Sequence, residues 1–292
     1  MKDHKMKSAA FSVIFSTYNS PDWMEKTLWG LHYQTFQDFE IIIADDGSTE
    51  ETAKRIAQFE QDSGRKVKHV WQPDDGFQKT RILNKALVAS EGEYIVFTDG
   101  DCILRSDFLA VHDRYRQPGY FLSGGYFKLP METSLAITRE DIRTGRAFEL
   151  DWLVSHGLKK THKTMKLTAS GKKAEMLNFL TPTKATWNGH NVSGWRSDIF
   201  EANGFDERMQ YGGEDRELGE RLFNLGIKSK QIRYSAICVH LDHARGYVKQ
   251  EMRDKNRAIR DYTKKHNVTQ TPYGLRKLAG SAGDQDSTAE LR

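Results

Sequence analysis

Apolar residues in the N-terminal third of the chain come in short runs, separated by segments with helical spacing. Four runs are dense in β-branched and aromatic residues, which is typical of buried strands: 11–17, 39–44, 67–71 and the stretch 94–102. The segments between them repeat apolar residues every three or four positions, which predicts helices. Strands that alternate with helices imply right-handed crossovers and a mostly parallel sheet. The pattern predicts an α/β fold with a single Rossmann-like sheet flanked by helices.

The pattern weakens in the middle of the chain and returns toward its end. A short strand is predicted at 124–127, but residues 130–185 have weak periodicity, and loops of that length are usually functional or disordered. A helix is predicted to begin at Asp215 and to end before Gly226, because glycine favours the position that follows a helix. A last strand is predicted at 233–239.

The C-terminal part of the chain is highly charged. A helix is predicted from 248 to about 266, and residues 279–292, which are small and polar, are expected to be disordered. These patterns predict one domain at 9–245, a charged helical extension at 246–278 and a disordered tail at 279–292.

Two carboxylates end the fourth predicted strand, where Asp99 and Asp101 stand on either side of Gly100. A buried strand end is an unfavourable place for two like charges unless a cation lies beside them. Gly100 lets the backbone turn sharply, so that both carboxylates can point at one position. A divalent cation that also binds phosphate oxygens fits this pattern. The alternative is an ordinary Asp-Gly turn.

Polar residues also follow the first two predicted strands, as Tyr18-Asn19 and Asp45-Asp46. The carboxyl ends of parallel strands lie at one edge of the sheet, where ligands of such folds bind. The three polar strand ends are therefore expected to cluster into one binding site.

Composition narrows the class of protein. The chain has 292 residues, with 44 Lys or Arg against 40 Asp or Glu, and its net charge of +4 is too small to indicate nucleic-acid binding as the main role. No apolar run approaches the roughly 20 residues that span a bilayer, and none follows the basic start, so neither a membrane span nor a signal peptide is expected. The only cysteines, Cys102 and Cys238, argue against a disulfide scaffold and favour a reducing cytoplasm.

One stretch has a strong local charge. Between Trp152 and Ala174 there is no acidic residue, whereas lysines occur at positions 159, 160, 163, 166, 172 and 173. The simplest interpretation of the basic segment 156–173 is a solvated, mobile loop. The alternative is a surface that meets an anionic membrane or a phosphorylated acceptor.

An ordered set of segments resembles the family 2 glycosyltransferases of the GT-A fold: FSVIFSTYN, QTFQDFEIIIADDGSTEET, ALVASEGEYIVFTDGDC, NGFDER and YGGEDREL. The last segment is similar to the Gly-Gly-Glu-Asp segment of β-1,4-galactosyltransferases and of bacterial chondroitin-polymerase-type enzymes. The resemblance covers roughly residues 11–245. It implies a GT-A fold in which about 9–104 binds a nucleotide sugar and about 105–245 binds the acceptor.

The resemblance implies a UDP-sugar donor bound over the first half of the sheet. Asp46 would accept a hydrogen bond from the uracil N3–H, and Ser16 and Tyr18 would line the base pocket. Arg81 lies where the family often has a basic residue near the donor, and the alternative for it is an ordinary charge on a helix surface. The family's common Ala-Arg-Asn segment is replaced here by residues 80–84.

The resemblance also implies a metal ion at the two carboxylates. Asp101 would bind the metal directly, and Asp99 would reach the ribose or a metal-bound water. His240 would complete the site, with His243 as its rival, because both histidines fall in the same turn. A histidine combined with carboxylates suits Mn²⁺ better than Mg²⁺, which is the alternative cofactor. The metal would neutralise charge on the departing diphosphate.

Asp215 is the implied catalytic base. In an inverting transfer the acceptor hydroxyl attacks the anomeric carbon, and a carboxylate that is ionised near neutral pH must take its proton. A helix N-terminus favours the ionised form, although the alternative is that Asp215 only complements the helix dipole. Four residues are expected to contact the acceptor: Gly213, Glu214, Trp187 and Asn191.

The predicted function is an inverting, metal-dependent glycosyltransferase. It would move a hexose or N-acetylhexosamine from a UDP-sugar to a saccharide or lipid-linked saccharide, in the synthesis of surface polysaccharide or lipopolysaccharide. The expected location is the cytoplasm, with peripheral contact at the inner face of the membrane as an alternative. A nucleotidyltransferase would need a glycine-rich, basic phosphate loop that residues 16–19 lack. A catalytically idle sugar-binding protein would not need the acids and the histidine described above.

Overall fold

The structure, a computed structural model, describes residues 9–244 and 249–276. Its strands are β1 (Phe11–Thr17), β2 (Phe39–Asp45), β3 (Val67–Trp71), β4 (Tyr94–Asp99), β5 (Cys102–Leu104), β6 (Tyr120–Ser123), β7 (Gly125–Lys128), β8 (Val192–Trp195), β9 (Lys228–Gln231) and β10 (Ile237–His240). Its helices are α1 (Pro21–His32), α2 (Glu50–Ser63), α3 (Lys79–Ala89), α4 (Phe108–Tyr115), α5 (Met131–Ala136), α6 (Arg139–Thr144), α7 (Leu150–Ser155), α8 (Met165–Thr168), α9 (Gly171–Leu180), α10 (Arg196–Glu201), α11 (Glu214–Asn224) and α12 (Gln250–Lys265). Single 3₁₀ turns lie at Arg146–Phe148 and His162–Thr164.

The strands form a large and a small sheet. The large sheet has the order β3-β2-β1-β4-β8-β6-β9, and β3, β2, β1 and β4 run parallel to one another. Strand β8 is antiparallel to both of its neighbours, and β6 is parallel to β9. The small sheet has the order β5-β10-β7, with β10 antiparallel to β5 and parallel to β7. The predicted α/β fold with a mostly parallel sheet is confirmed, but the prediction of a single sheet was wrong, because β5, β10 and β7 form a second sheet.

Both faces of the parallel strands are buried, which explains their nearly unbroken apolar sequences. Successive side chains of a strand point to opposite faces. On β1, Phe11, Val13 and Phe15 belong to one core, which α1 covers with residues such as Leu28. Ile14 belongs to the other core, which α3 covers. The helices that cover the two faces therefore leave the carboxyl edge of the sheet as the place for polar side chains.

Two predictions about secondary structure were wrong. The segment 130–185, predicted as a long loop or a disordered stretch, contains the short helices α5 to α9. Each of these helices buries few side chains, for example Leu153 in α7 and Ala174 in α9, so no sustained helical period is visible in the sequence. The last strand begins at Ile237, because residues 233–236 form a turn in which the N–H of Ala236 bonds to the carbonyl of Ile232.

Helix α12 confirms the predicted C-terminal helix and packs on α11. The Thr263 hydroxyl donates to Oε1 of Glu217 at 2.9 Å, and Arg260 forms an ion pair with Glu220. Arg221 and Glu217 form a fully buried ion pair within α11. Among the described helices, none combines the length and the apolar character needed to cross a membrane. The predicted disordered tail at 279–292 lies outside the described residues.

Candidate active site

The carboxyl ends of β1, β2 and β4 lie side by side at one edge of the large sheet. The register pairs Ser16 of β1 with Ala44 of β2 and with Asp99 of β4. Gly100 donates its N–H to the carbonyl of Ser16 at 3.2 Å, and a Cβ atom on Gly100 would lie only 2.6 Å from that oxygen. Glycine is therefore required where the chain turns between Asp99 and Asp101.

Asp101 lies against two histidines. Its Oδ2 is 3.5 Å from Nε2 of His240 and 2.9 Å from Nε2 of His243. The N–H of Leu241 donates to the carbonyl of Asp101 at 2.9 Å, which brings this turn to the carboxylate. Nδ1 of His240 lies 2.7 Å from the carbonyl of Leu241, and Nδ1 of His243 lies 2.9 Å from that of Ala244. These contacts assign the protons to Nδ1 and leave both Nε2 atoms facing Asp101.

Four side chains at this turn could hold a metal ion. The ligand atoms of Asp99, Asp101, Cys102 and His240 all lie within 4.8 Å of one another. Burial, together with neighbouring Cys238, raises the pKa of the Cys102 thiol well above its usual range. The set therefore combines two carboxylates and one imidazole nitrogen with a thiol whose ionisation is unfavourable. This set fits Mn²⁺.

Lys79, the first residue of α3, lies beside Asp99. Its Nζ is 3.3 Å from Oδ1 of Asp99. Burial would raise the pKa of Asp99, but Lys79 and two nearby imidazoles hold it below its ordinary value. Burial would lower the pKa of Lys79, but Asp99, Asp215 and Glu214 raise it well above its ordinary value. Lys79 is therefore a fixed positive charge among three carboxyl groups.

Asp215 is the second residue of α11, so its predicted place at a helix start is confirmed. The helix start was expected to favour ionisation, but burial raises the pKa of Asp215 to about 7, with Lys79 opposing this shift. Oδ1 of Asp215 is buried and has no hydrogen-bond partner among the residues that the structure describes. Gly189 lies close to Oδ2, where an added Cβ atom would be at 2.7 Å. A carboxyl group with this pKa and an unpaired oxygen is suited to accept a proton near neutral pH.

Two glycines and helix α12 shape the loop before Asp215. Gly212 and Gly213 have φ values of 106° and 92°, which L side chains rarely adopt. The N–H of Gly212 donates to Oε2 of Glu214 at 2.7 Å. From α12, Nδ2 of Asn256 donates to the carbonyls of Gln210 and Gly212 at 2.8 and 3.1 Å. The helix that was predicted as an extension outside the domain therefore holds the loop that carries Glu214 and Asp215.

The predicted base-binding residues lie at the same sheet edge. Asp46 is buried, and its two oxygens accept from the Gln72 amide at 2.7 Å and from the N–H of Gln78 at 2.9 Å. Burial raises the pKa of Asp46 to about 6. Tyr18 is half exposed and donates its hydroxyl to Asp74 at 2.9 Å, which raises the pKa of the phenol.

Two of the predicted acceptor contacts lie in the core, and Arg81 lies on the surface. Trp187 is fully buried, with its ring against Phe97, and Asn191 is fully buried, with its amide donating to two backbone carbonyls. No acceptor can reach either side chain in this arrangement, so their assignment as acceptor contacts is corrected: both are core residues. Arg81 is exposed on α3, and its guanidinium lies 3.9 Å from Asp75.

Sequence reasoning missed Lys79 and His190. A lysine in the first turn of a helix opposes the helix dipole, and this unfavourable placement is the signal that could have indicated a function. His190 has no comparable signal in the sequence, because its place near Asp99 and its burial become visible only in the structure. That burial lowers the pKa of His190 to about 4, and its ring packs edge-on against Tyr126 with 4.5 Å between ring centres.

Residues 12–117 match the family described as Glycosyl transferase family 2. Over 243 residues the chain is 27% identical to the chondroitin synthase of Escherichia coli, an alignment that covers 76% of this chain and 33% of that protein. The chain therefore spans about a third of the length of this relative.

Two solved structures are similar in fold. One is the mannosyltransferase PcManGT from Pyrobaculum calidifontis in complex with GDP-Man and Mn²⁺, with a TM-score of 0.54, 18% identity, and coverage of 83% of this chain and 59% of that chain. The other is TarS 1–349 of S. aureus in complex with UDP-GlcNAc, with a TM-score of 0.53, 16% identity, and coverage of 81% and 60%. The chain has the GT-A fold of these glycosyltransferases, and its similarity to glycosyl transferase family 2 extends over residues 12–117. The family resemblance seen in the sequence is confirmed.

Proposed function

We propose that this protein is an inverting, metal-dependent glycosyltransferase that moves a hexose or N-acetylhexosamine from a UDP-sugar to a saccharide acceptor. The observation that supports this most directly is the placement of Lys79 between two kinds of carboxyl group. Lys79 contacts Asp99, which belongs to the group of possible metal ligands with Asp101 and His240, and it also interacts electrostatically with Asp215. The family match of residues 12–117 supports the same reaction class.

The donor side would hold the metal and the nucleotide. Asp101 and His240 would bind Mn²⁺, with Mg²⁺ as the alternative and with Asp99 reaching the ribose or a metal-bound water. The bound metal would neutralise charge on the departing diphosphate. The carboxylate of Asp101 and the imidazole of His240 are suitable metal ligands, which supports a metal ion at this position. The Mn²⁺ in the similar PcManGT structure supports it as well. Ser16, Tyr18 and Asp46 would line the base pocket at the neighbouring strand ends.

Lys79 would bind the diphosphate as a second cation. Its ammonium is partly buried and surrounded by carboxyl groups, so it remains charged at neutral pH. An anionic diphosphate placed beside Asp99 would be repelled by that carboxylate unless such a cation lay between them. Arg81 keeps this role as an alternative, although its exposed side chain lies next to Asp75.

Asp215 would take the proton of the acceptor hydroxyl. As the hydroxyl oxygen forms its bond to the anomeric carbon, the bond from that carbon to the diphosphate oxygen breaks on the opposite face, and the configuration inverts. Oδ1 of Asp215 has no hydrogen-bond partner in the described part of the chain, which supports this residue as the proton acceptor. Glu214 would accept a hydrogen bond from another acceptor hydroxyl, and Gly213 would let the sugar approach the backbone.

We also propose the remaining features of the biological role. The nucleotide-binding half would be about 9–104 and the acceptor-binding half about 105–245. The acceptor would be a growing surface polysaccharide or lipopolysaccharide, or a lipid-linked saccharide, which the likeness to a chondroitin synthase supports. A cytoplasmic location is supported by two cysteines that are both free and buried.

The test is a donor screen. UDP release would be measured from UDP-Gal, UDP-Glc, UDP-GlcNAc and UDP-GalNAc with Mn²⁺, with Mg²⁺ and with EDTA. We expect one donor to be hydrolysed or transferred faster than the others with Mn²⁺, and EDTA to abolish the reaction. GDP-Man is included because it is bound in the similar PcManGT structure. Turnover of GDP-Man alone would overturn the UDP-sugar assignment, and sugar-nucleotide binding without any turnover would favour an idle sugar-binding protein.

A further inference from the structure

Helix α9 is attached to the rest of the protein through one face. The N–H of Tyr234 donates to Oδ1 of Asn178 at 2.8 Å, and the Asn178 amide donates to Ser235 Oγ at 2.8 Å. Glu175 accepts a hydrogen bond from Arg114 at 2.8 Å. These contacts determine which side chains of α9 point away from the protein.

The outward face of α9 is apolar at its C-terminal end. Phe179 is 88% exposed, Leu180 63% and Met176 55%. Single exposed apolar residues are common on soluble proteins, but three of them on adjoining positions of one helix form a patch. Such a patch indicates a contact surface, because leaving it in water is unfavourable.

Lysines precede this patch along the chain. Lys172 and Lys173 are exposed in the first turn of α9. Three more lysines are exposed in the segment that precedes the helix: Lys159, Lys160 and Lys163. No acidic residue occurs between Trp152 and Ala174, and Lys160 lies 3.4 Å from Asp151 just outside that stretch.

The sixth lysine of the stretch behaves differently. Lys166 turns inward, and its Nζ donates to the carbonyl of Tyr126 at 3.1 Å. Burial lowers the pKa of Lys166 to about 8. Lys166 and the helices α8 and α9 therefore anchor the segment, and its other lysines are exposed. The segment contains helices where the sequence predicted a loop.

We propose that the α9 face, defined as Lys172, Lys173, Met176, Phe179 and Leu180, docks on an anionic lipid surface. Apolar side chains at one end of an exposed helix can enter the boundary between lipid headgroups and acyl chains, while lysines beside them attract anionic headgroups. The net positive charge of the whole stretch is complementary to such a surface and selects it over a neutral one. This inference does not rest on the transfer reaction.

The test is co-sedimentation of the full chain with vesicles. Vesicles of phosphatidylcholine with about 30% phosphatidylglycerol are compared with vesicles of phosphatidylcholine alone, at low and high salt. We expect binding to the anionic vesicles only, and weaker binding at high salt because salt screens the attraction. Each lysine near an anionic surface contributes about 1 kcal/mol, so Lys172→Gln combined with Lys173→Gln should weaken partitioning tenfold or more.

A second variant isolates the apolar contribution. Phe179→Ser combined with Leu180→Ser should also weaken partitioning tenfold or more. The reason is that two apolar side chains would no longer be transferred from water into the lipid. The control is Lys85→Gln combined with Val88→Ser on α3, which changes one exposed lysine and one exposed apolar residue away from α9 and should bind vesicles like the unchanged chain. All of these side chains are exposed, so circular dichroism and melting temperature should stay the same.

Several results would overturn the proposal. One is the absence of binding to anionic vesicles, and another is equal binding by the α9-face variants and the control. Equal binding to neutral vesicles would contradict the role of the lysines. Concentration-dependent self-association of the unchanged chain that Phe179→Ser with Leu180→Ser removes, without any vesicle binding, would assign the face to a second copy of the chain.

Discussion

Asp99 and Asp215 are two carboxyl groups near one lysine, yet their pKa values move in opposite directions. Both are largely enclosed by the protein, and burial alone would raise both pKa values. Asp99 is in contact with Lys79 at 3.3 Å and lies near His190, and its pKa falls below the ordinary value. Asp215 has an oxygen with no hydrogen-bond partner among the described residues, and burial raises its pKa to about 7.

The difference assigns different chemistry to the two groups. A carboxylate that stays charged can hold cations, whereas one whose pKa lies near neutral pH can exchange a proton during each turnover. In the sequence both are aspartates within two residues of a glycine, at the ends of regular elements. The contrast arises from the charged groups beside them: Lys79 and two imidazoles lower the pKa of Asp99, whereas Glu214 and Asp99 add to the effect of burial on Asp215.

The largest effect is expected for Asp215→Asn. Removing the proton acceptor should lower turnover by roughly 100-fold to 10,000-fold. Calorimetry should show unchanged affinity for UDP and Mn²⁺. In the unchanged protein the rate should rise with pH through about 7, because only the ionised Asp215 accepts a proton, and the variant should lose this rise. Normal turnover of the variant with an identified acceptor would show that Asp215 is not the base.

Asp101→Ala tests the other side of the comparison. Loss of this metal ligand should weaken the Mn²⁺-dependent binding of UDP by roughly 100-fold, by calorimetry, because Asp101 is the carboxylate in contact with both histidines. Its effect falls on binding, whereas that of Asp215→Asn falls on turnover. The same UDP affinity in both variants would contradict this division.

His240→Ala and His243→Ala separate the two candidate ligands. We expect His240→Ala to lower Mn²⁺ affinity by roughly 10-fold to 100-fold and His243→Ala to have a smaller effect, because Nε2 of His240 belongs to the group of convergent donors. Mn²⁺ titration monitored by electron paramagnetic resonance measures both. A larger loss in His243→Ala would exchange the two assignments.

Lys79→Met tests whether Lys79 controls the pKa of Asp215 as well as contacting Asp99. Lys79 lowers the pKa of Asp215, so its removal should move the midpoint of the pH–rate profile above 7 and reduce turnover at pH 7 several-fold. The matched control is Arg81→Met on the exposed side of the same helix, which should leave the midpoint unchanged. A shifted midpoint in the Arg81 variant, with none in the Lys79 variant, would restore Arg81 as the functional cation.

The smallest effect is expected for Asn256→Ala. This change leaves the carbonyls of Gln210 and Gly212 without their side-chain donor and should lower the free energy of unfolding by about 1–3 kcal/mol. Turnover should fall only a few-fold, with the pH midpoint retained, since Asn256 positions the loop without touching the reacting groups. Chemical denaturation and a pH–rate profile measure the two effects, and an unchanged stability would show that α12 does not hold the loop.

The sequence by itself determined the parallel half of the fold and the residue types at its edge. Hydrophobic periodicity is a local property, and the order of strands and helices restricts the topology, so Asp46, Asp99 and Asp101 could be placed at strand ends. The start of α11 before Asp215 was also predictable, because glycines and acidic residues are typical of that position.

Only the tertiary structure decided which groups meet. It placed Lys79 instead of Arg81 beside Asp99, buried Trp187 and Asn191 in the core, and brought α12 against the loop before Asp215. Each of these outcomes depends on contacts between residues far apart in the chain. The pKa of a carboxyl group depends on its distance from charges and from water, and packing sets both distances. Two aspartates that look alike in the sequence therefore differ in the folded protein.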